Sequence, residues 1–332
     1  MIRHSARLLL AVLASTAAVE PATAQQSAPP PLHEEGVALD VGRGRLVLFG
    51  GTRAEGESYV NVGDTWEWDG SGWRLAVPAG DGPGARTVAT MAYDPGRRSV
   101  TMYGGASGDW ETGEIQLLRD VWTYDGTRWV RGPDGPESWN ARLVYDSRRG
   151  EMLLAGIAGP WVDGDGPFRV SLWRRLGDGW VFADSSGPRI SSTLRPAFDA
   201  RRGVLVLPVM EGPDAGVWEW DGGRWRHVQV TDGPRPRGRF IVAYDERAGG
   251  VMLFGGVAGP PPESFDDLWR WDGTRWTAVP ATGAAAPAPR SDGTLVYDPA
   301  SRRLLLVGGI ANDDTMFREV WTLDASGWRK VH

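Results

Sequence analysis

Six times along this chain two tryptophans stand seven residues apart: Trp66 and Trp73, Trp122 and Trp129, Trp173 and Trp180, Trp218 and Trp225, Trp269 and Trp276, Trp321 and Trp328. The pairs recur at a period of about fifty residues, the mark of a chain built from copies of one supersecondary unit. Such a unit cannot bury its apolar faces alone, so the copies must pack on one another. That requirement limits the fold more than any single residue does.

Two further features precede each pair. A short apolar run closes on an aspartate: Asp40, Asp94, Asp146, Asp199, Asp245 and Asp298. A second apolar run ends in Gly-Gly, as in RLVLFGG to Gly51, SVTMYGG to Gly105, GVMLFGG to Gly256 and RLLLVGG to Gly309. With the two Trp-bearing runs, each repeat reads as one sheet of four short antiparallel strands. Asp69-Gly70, Asp125-Gly126, Asp221-Gly222 and Asp272-Gly273 separate the third and fourth runs and predict tight hairpins. The strand-closing aspartates are placed to accept hydrogen bonds from the backbone amides of the following turn.

The expected class is therefore all-β: a six-bladed propeller, residues 33–332, with four antiparallel strands per blade. Every repeat supplies all of its own strands, so blade 1 should pack directly on blade 6 with no strand exchanged between the termini. Seven blades is the alternative count. Twelve of the 18 tryptophans are the repeat pairs and are expected in the core, where each removes about 150–250 Å² from water. Trp68, Trp220 and Trp271 alternate with the first Trp of their pairs and are expected on the outside of a blade. Blades 3 and 4 depart from the pattern, with Ala155-Gly156 in one and VLVLPVM in the other. Proline cannot donate to a ladder, so the second strand of blade 4 should end early at Pro208.

This order, an apolar run to Gly-Gly, a variable loop, then an aromatic and a Trp, resembles the kelch repeat over residues 33–332. The resemblance implies a kelch-type propeller and leaves function open, because such propellers carry many activities. Galactose-oxidase-like copper enzymes share the architecture but require a Cys-crosslinked Tyr and His ligands. The chain has no cysteine, which excludes that chemistry.

Residues 1–24 read as a secretory signal: Arg3 and Arg7, the apolar stretch Leu8–Val19, then Ala22-Thr23-Ala24 as a cleavage site after Ala24. The apolar stretch is too short to span a bilayer. Residues 25–32 form a short linker, and a periplasmic or secreted location is expected, without membrane insertion. A net charge of −6 argues against nucleic acid as a partner. Beyond the signal, His33, His227 and His332 fall in different blades, so no metal or other cofactor is expected. Asp163 and Asp165 lack the other ligands of a calcium loop, and no G-x-S-x-G nucleophile elbow is present.

Function should sit on the face where the long variable loops emerge, or in the central channel. Trp110, Trp139 and Trp161 are expected over blades 2 and 3, where they suit sugar stacking or a protein anchor. The alternative is that they pack loops against one another. A second set is the Arg eight residues before the strand-closing Asp: Arg86, Arg237 and Arg290. These are expected near the channel mouth, with Arg142, Arg195 and Arg239 nearby. Converging guanidinium groups would favour a carboxylate; pairing with adjacent Asp and Glu is the competing reading. Asp109, Glu111 and Glu114 are available as general acid or base, and nothing in their spacing singles them out. No catalytic residue is assigned. The leading expectation is a non-catalytic propeller binding a glycan or protein through its loop face. Its rival is a sugar-active enzyme resembling a sialic-acid mutarotase, using a channel-mouth Arg and a carboxylate. A purely structural module is the third class.

Overall fold

The computed structural model describes residues 28–56, 58–109, 112–159, 167–191, 193–282 and 285–332. The signal segment 1–24 lies outside them. Among the described residues there is no helix, and so none long and apolar enough to cross a membrane. Six antiparallel sheets of four strands follow one another along the chain, the third with a short fifth strand, Arg189–Ile190. Two small hairpins, Thr52–Glu55 with Ser58–Asn61 and Val257–Ala258 with Glu263–Ser264, stand in the loops. Their innermost strands are Gly36–Asp40, Thr90–Asp94, Ser138–Asp146, Ala197–Asp199, Ile241–Asp245 and Thr294–Asp298. Each touches the next in order, and Gly36–Asp40 meets Thr294–Asp298, closing a ring of six. Blade 1 is built from Gly36–Asp40, Arg45–Phe49, Thr65–Trp68 and Trp73–Val77, and no C-terminal strand enters it.

The core is divided among the six junctions between neighbouring blades. Val37, Leu39 and Trp66 of blade 1 pack with Leu305, Val307 and Val320 of blade 6, and equivalent clusters fill the other five junctions. Leu32, at the end of the linker, is itself buried in the first of these. Both faces of every radial sheet therefore meet a neighbour. That geometry corrects the expectation for Trp68, Trp220 and Trp271, which are buried in the junctions rather than on an outer surface. Apart from its loops, a blade meets solvent chiefly along its fourth strand, where Val130, Val181 and Phe182 are exposed.

The predicted turn chemistry is in place. Asp40 Oδ1 accepts from the Arg43 amide at 3.0 Å, and Asp94 Oδ1 from the Arg97 amide at 3.1 Å. Asp125 and Asp272 receive two turn amides each in their hairpins. The expectation for Pro208 is corrected: its strand runs Val204–Val209 and Pro208 pairs with Val217. The neighbouring innermost strand begins only at Ala197, paired with Val206. The proline thus lies beyond the point where its missing N–H would be needed on that side.

Candidate functional site

Counting back from each strand-closing Asp assigns the segment entering every blade, and two positions on it behave differently. Eight residues before the Asp stand Arg86, Arg237 and Arg290. All three are almost wholly buried inside their own blades and do not line the central channel, a correction to the expected channel-mouth placement. Each bonds its own blade's Gly-Gly carbonyl, Gly104, Gly255 or Gly308. Each also pairs with the carboxylate two residues before the first Trp: Asp120, Asp267 or Glu319. The indole Nε1 of Trp122, Trp269 or Trp321 donates to that same carboxylate. The Gly-Gly corner leaves room for this only because both glycines adopt positive φ; a Cβ on Gly104 would meet the Leu118 carbonyl at 2.6 Å. A guanidinium saturated in this way holds a blade together and has little left to offer a ligand.

Six residues before the Asp the chain bends at the channel mouth. Glu34, Val88, Asn140, Arg239 and Asp292 occupy this position in five blades, all with φ between 48° and 58°. Left-handed backbone costs a non-glycine residue about 1–2 kcal/mol, and strain of this kind gathers at functional sites. Cross-blade bonds hold the bends: the Val88 amide donates to the Glu34 carbonyl at 2.9 Å, and the Asp292 amide to the Arg239 carbonyl at 3.0 Å. In blade 4 Thr193 takes the position and its Oγ1 accepts the Arg239 amide at 2.9 Å.

These bends frame a cavity of about 390 Å³ that follows the channel and is lined by Glu34, Glu35, Arg142, Arg195 and Asp292 among others. Its volume falls within the range of small-molecule sites, about 300–1,000 Å³. Asp292 is the hub of its charged rim. Its Oδ1 accepts from Arg195 Nη2 at 2.9 Å, its Oδ2 pairs with Arg239 Nε, and His33 Nε2 lies 3.6 Å away. Burial pushes the Asp292 carboxyl up, but the contact with His33 and the charges of Arg195 and Arg239 outweigh it and hold it down at about 2. Burial lowers His33, yet Asp292, Glu34 and Glu35 raise it above its ordinary value.

Two groups at the mouth lack what the others have. Arg142 donates to the Ala141 carbonyl at 2.8 Å but has no carboxylate partner among the described residues. Burial and the nearby Arg195 push its guanidinium down to about 9, as befits a cation without a counter-charge. Glu35 is enclosed between blades 1 and 6, and its Oε2 has no hydrogen-bond partner among the described residues. Burial raises its carboxyl to about 7, against a backbone hydrogen bond and the charge of His33. Both side chains touch the open channel while protein surrounds them on the other sides. A guanidinium without a counter-charge and a carboxyl raised to about 7 thus share one cavity.

The remaining candidates fall elsewhere. Trp139 is half-buried and packs edge-on against Phe168, 4.9 Å between ring centroids, in the cluster between blades 3 and 4. Trp110, Trp161, Asp163, Asp165 and Glu111 lie outside the described residues. Glu114 is exposed at the start of its strand. Among the described residues no three His, Cys, Asp or Glu side chains converge as a metal site. His33, Glu34, Glu35 and Asp292 went unnoticed as a group in the sequence because they come from opposite ends of the chain. The register of six before the Asp could have aligned Glu34 with Asp292.

No family model matches the chain, and no curated protein matches it. The fold is similar to the solved structure of YjhT, with a TM-score of 0.66 at 15% identity, covering 92% of this chain and 99% of that one. At that identity the likeness shows the shared propeller architecture alone. The site must therefore be read from its own residues.

Proposed function

We propose that the channel mouth binds an acidic sugar and catalyses proton transfer at its anomeric centre, opening and reclosing the ring. The observation that carries this reading is the pairing, in one cavity, of the uncompensated Arg142 with Glu35. Arg142 would hold the sugar carboxylate, since a guanidinium recognises that group with two parallel hydrogen bonds. Glu35, titrating near the working pH, would give its proton to the ring oxygen as the ring C–O bond breaks. The proton of the anomeric hydroxyl leaves to water or a neighbouring base, the anomeric carbon becomes a carbonyl, and closure on the other face reverses each transfer. This is the sugar-active alternative drawn from the resemblance to a sialic-acid mutarotase. It is favoured over a loop-face binder because Trp139, the described member of the loop Trp set, packs against Phe168.

The test is the rate of anomer interconversion of sialic acid, followed by NMR on residues 25–332. The wild type should accelerate it, and Glu35→Gln should lower the rate about 10²–10⁴-fold while retaining the ligand. Binding without acceleration would leave a non-catalytic glycan receptor. Neither binding nor acceleration would return the reading to a protein partner on the loop face.

A further inference from the structure

The carboxylate hub at the mouth carries an inference about which anions are admitted, and it rests on the anchor reading of Arg142. The guanidinium groups of Arg142, Arg195 and Arg239 face the carboxylates of Asp292 and Glu34 across the rim. Of the three, Arg195 and Arg239 are both spent on Asp292. Glu34 also receives the Thr87 hydroxyl at 3.1 Å and weighs on Arg142 only through its charge. Three cations against two anions leave one positive charge without a counter-ion. It resides on Arg142, the deepest of the three.

His33 and Glu35 leave this balance unchanged when they share a single proton. Burial raises the Glu35 carboxyl to about 7 while the His33 charge draws it back. Burial lowers His33, but Asp292, Glu34 and Glu35 raise it, so the two titrate as a coupled pair that can hold a single proton. With the proton on Glu35 both are neutral; with it on His33 their charges cancel. The mouth keeps one net positive charge either way.

We propose that Asp292 is a specificity-determining residue that restricts the mouth to ligands bringing a single negative charge, such as sugar carboxylates, and turns away dianions such as sugar phosphates. A second charge on the ligand would find Arg195 and Arg239 already occupied, and would stand among Asp292 and Glu34 in a partly desolvated channel. Like charges held about 6–10 Å apart at an effective dielectric near 20 repel by about ten- to a hundredfold in affinity.

The experiment is calorimetric titration at pH 7 and fixed ionic strength, with glucuronate as the monoanion and glucose 6-phosphate as the dianion. The wild type should prefer glucuronate. Asp292→Asn frees two guanidinium groups and should shift the preference toward the phosphate by about tenfold or more. Glu34→Gln adds the same charge without touching the Asp292 pairs, so it should shift preference in the same direction even if Asp292→Asn disturbs the rim. Thermal melts show that each variant is folded. If folded variants both keep the wild-type ratio, the charge-selection proposal is overturned while the anchor stands. If the wild type binds neither anion, the anchor reading falls and takes this inference with it.

Discussion

Arg86 and Arg142 carry the same charge, enter neighbouring blades on equivalent segments, and are both withdrawn from solvent, yet they do opposite things. Arg86 has a two-point ion pair with Asp120, at 2.6 and 3.0 Å, and two backbone carbonyls. Arg142 has one backbone carbonyl and no counter-charge among the described residues. A buried cation with every donor matched contributes to the fold, whereas one left unmatched burdens it and is available to a ligand. The difference arises from where the side chain starts. Eight residues before the Asp, it turns back into its own sheet; four residues before, it stands on the innermost strand beside the channel.

The sharpest way to break this contrast is Arg86→Met. It strands Asp120 and the Gly104 carbonyl, and should cost about 3–5 kcal/mol in denaturant unfolding with little change in anion binding. A loss below about 1 kcal/mol would make the clamp ornamental. Next comes the stability of the wild type against pH. The raised Glu35 carboxyl means the native state holds a proton the unfolded chain releases, so its contribution is fully present below about 4.5 and is lost as pH rises to about 7. The loss amounts to about 3 kcal/mol at most. Lowered carboxyls such as Asp292 act with the opposite sign, so the quantity to measure is the difference between wild type and Glu35→Gln across that window. A flat difference would show that Glu35 titrates normally.

Arg142→Met should weaken sugar-acid binding by about 30–100-fold, while the melting temperature stays level or rises because an unmatched charge is removed. A fall in both would make Arg142 another clamp. The smallest effect belongs to Thr193→Val, which removes the acceptor for the Arg239 amide. About 1 kcal/mol of stability should go with it, and the pairing of Arg239 with Asp292 should loosen, read as weaker glucuronate binding.

The clamp was legible in the sequence as a set of linked residues. Blades 2, 5 and 6 carry Arg, Gly-Gly and an acidic residue two before the Trp all together. Blade 1 has Leu32 in place of the Arg, and blades 3 and 4 have Ser138 and Ser191 with Ser171 and Gly216 at the acidic position. Blade 1 nonetheless keeps Gly50-Gly51 and Asp64, so the link runs one way: every blade that carries the Arg carries both of its partners. The same Arg were expected at the channel because their spacing was read without the partner that turns them inward. Trp68, Trp220 and Trp271 were misplaced for a related reason: alternation along a strand gives two faces, but only the ring makes both of them interior.

Sequence alone determined the blade count, the order of the four strands within each blade, the turns and the closure without strand exchange. Each of these follows from local periodicity and from the need of every repeat to bury its faces. The tertiary structure decided the site. His33, Glu34 and Glu35 enter at the start of the ring and Asp292 near its end, and only closure brings them together with Arg142 and Arg195 around one cavity. What makes those residues chemically distinct is the enclosure and the counter-charges each receives or lacks there, and those are properties of the closed ring.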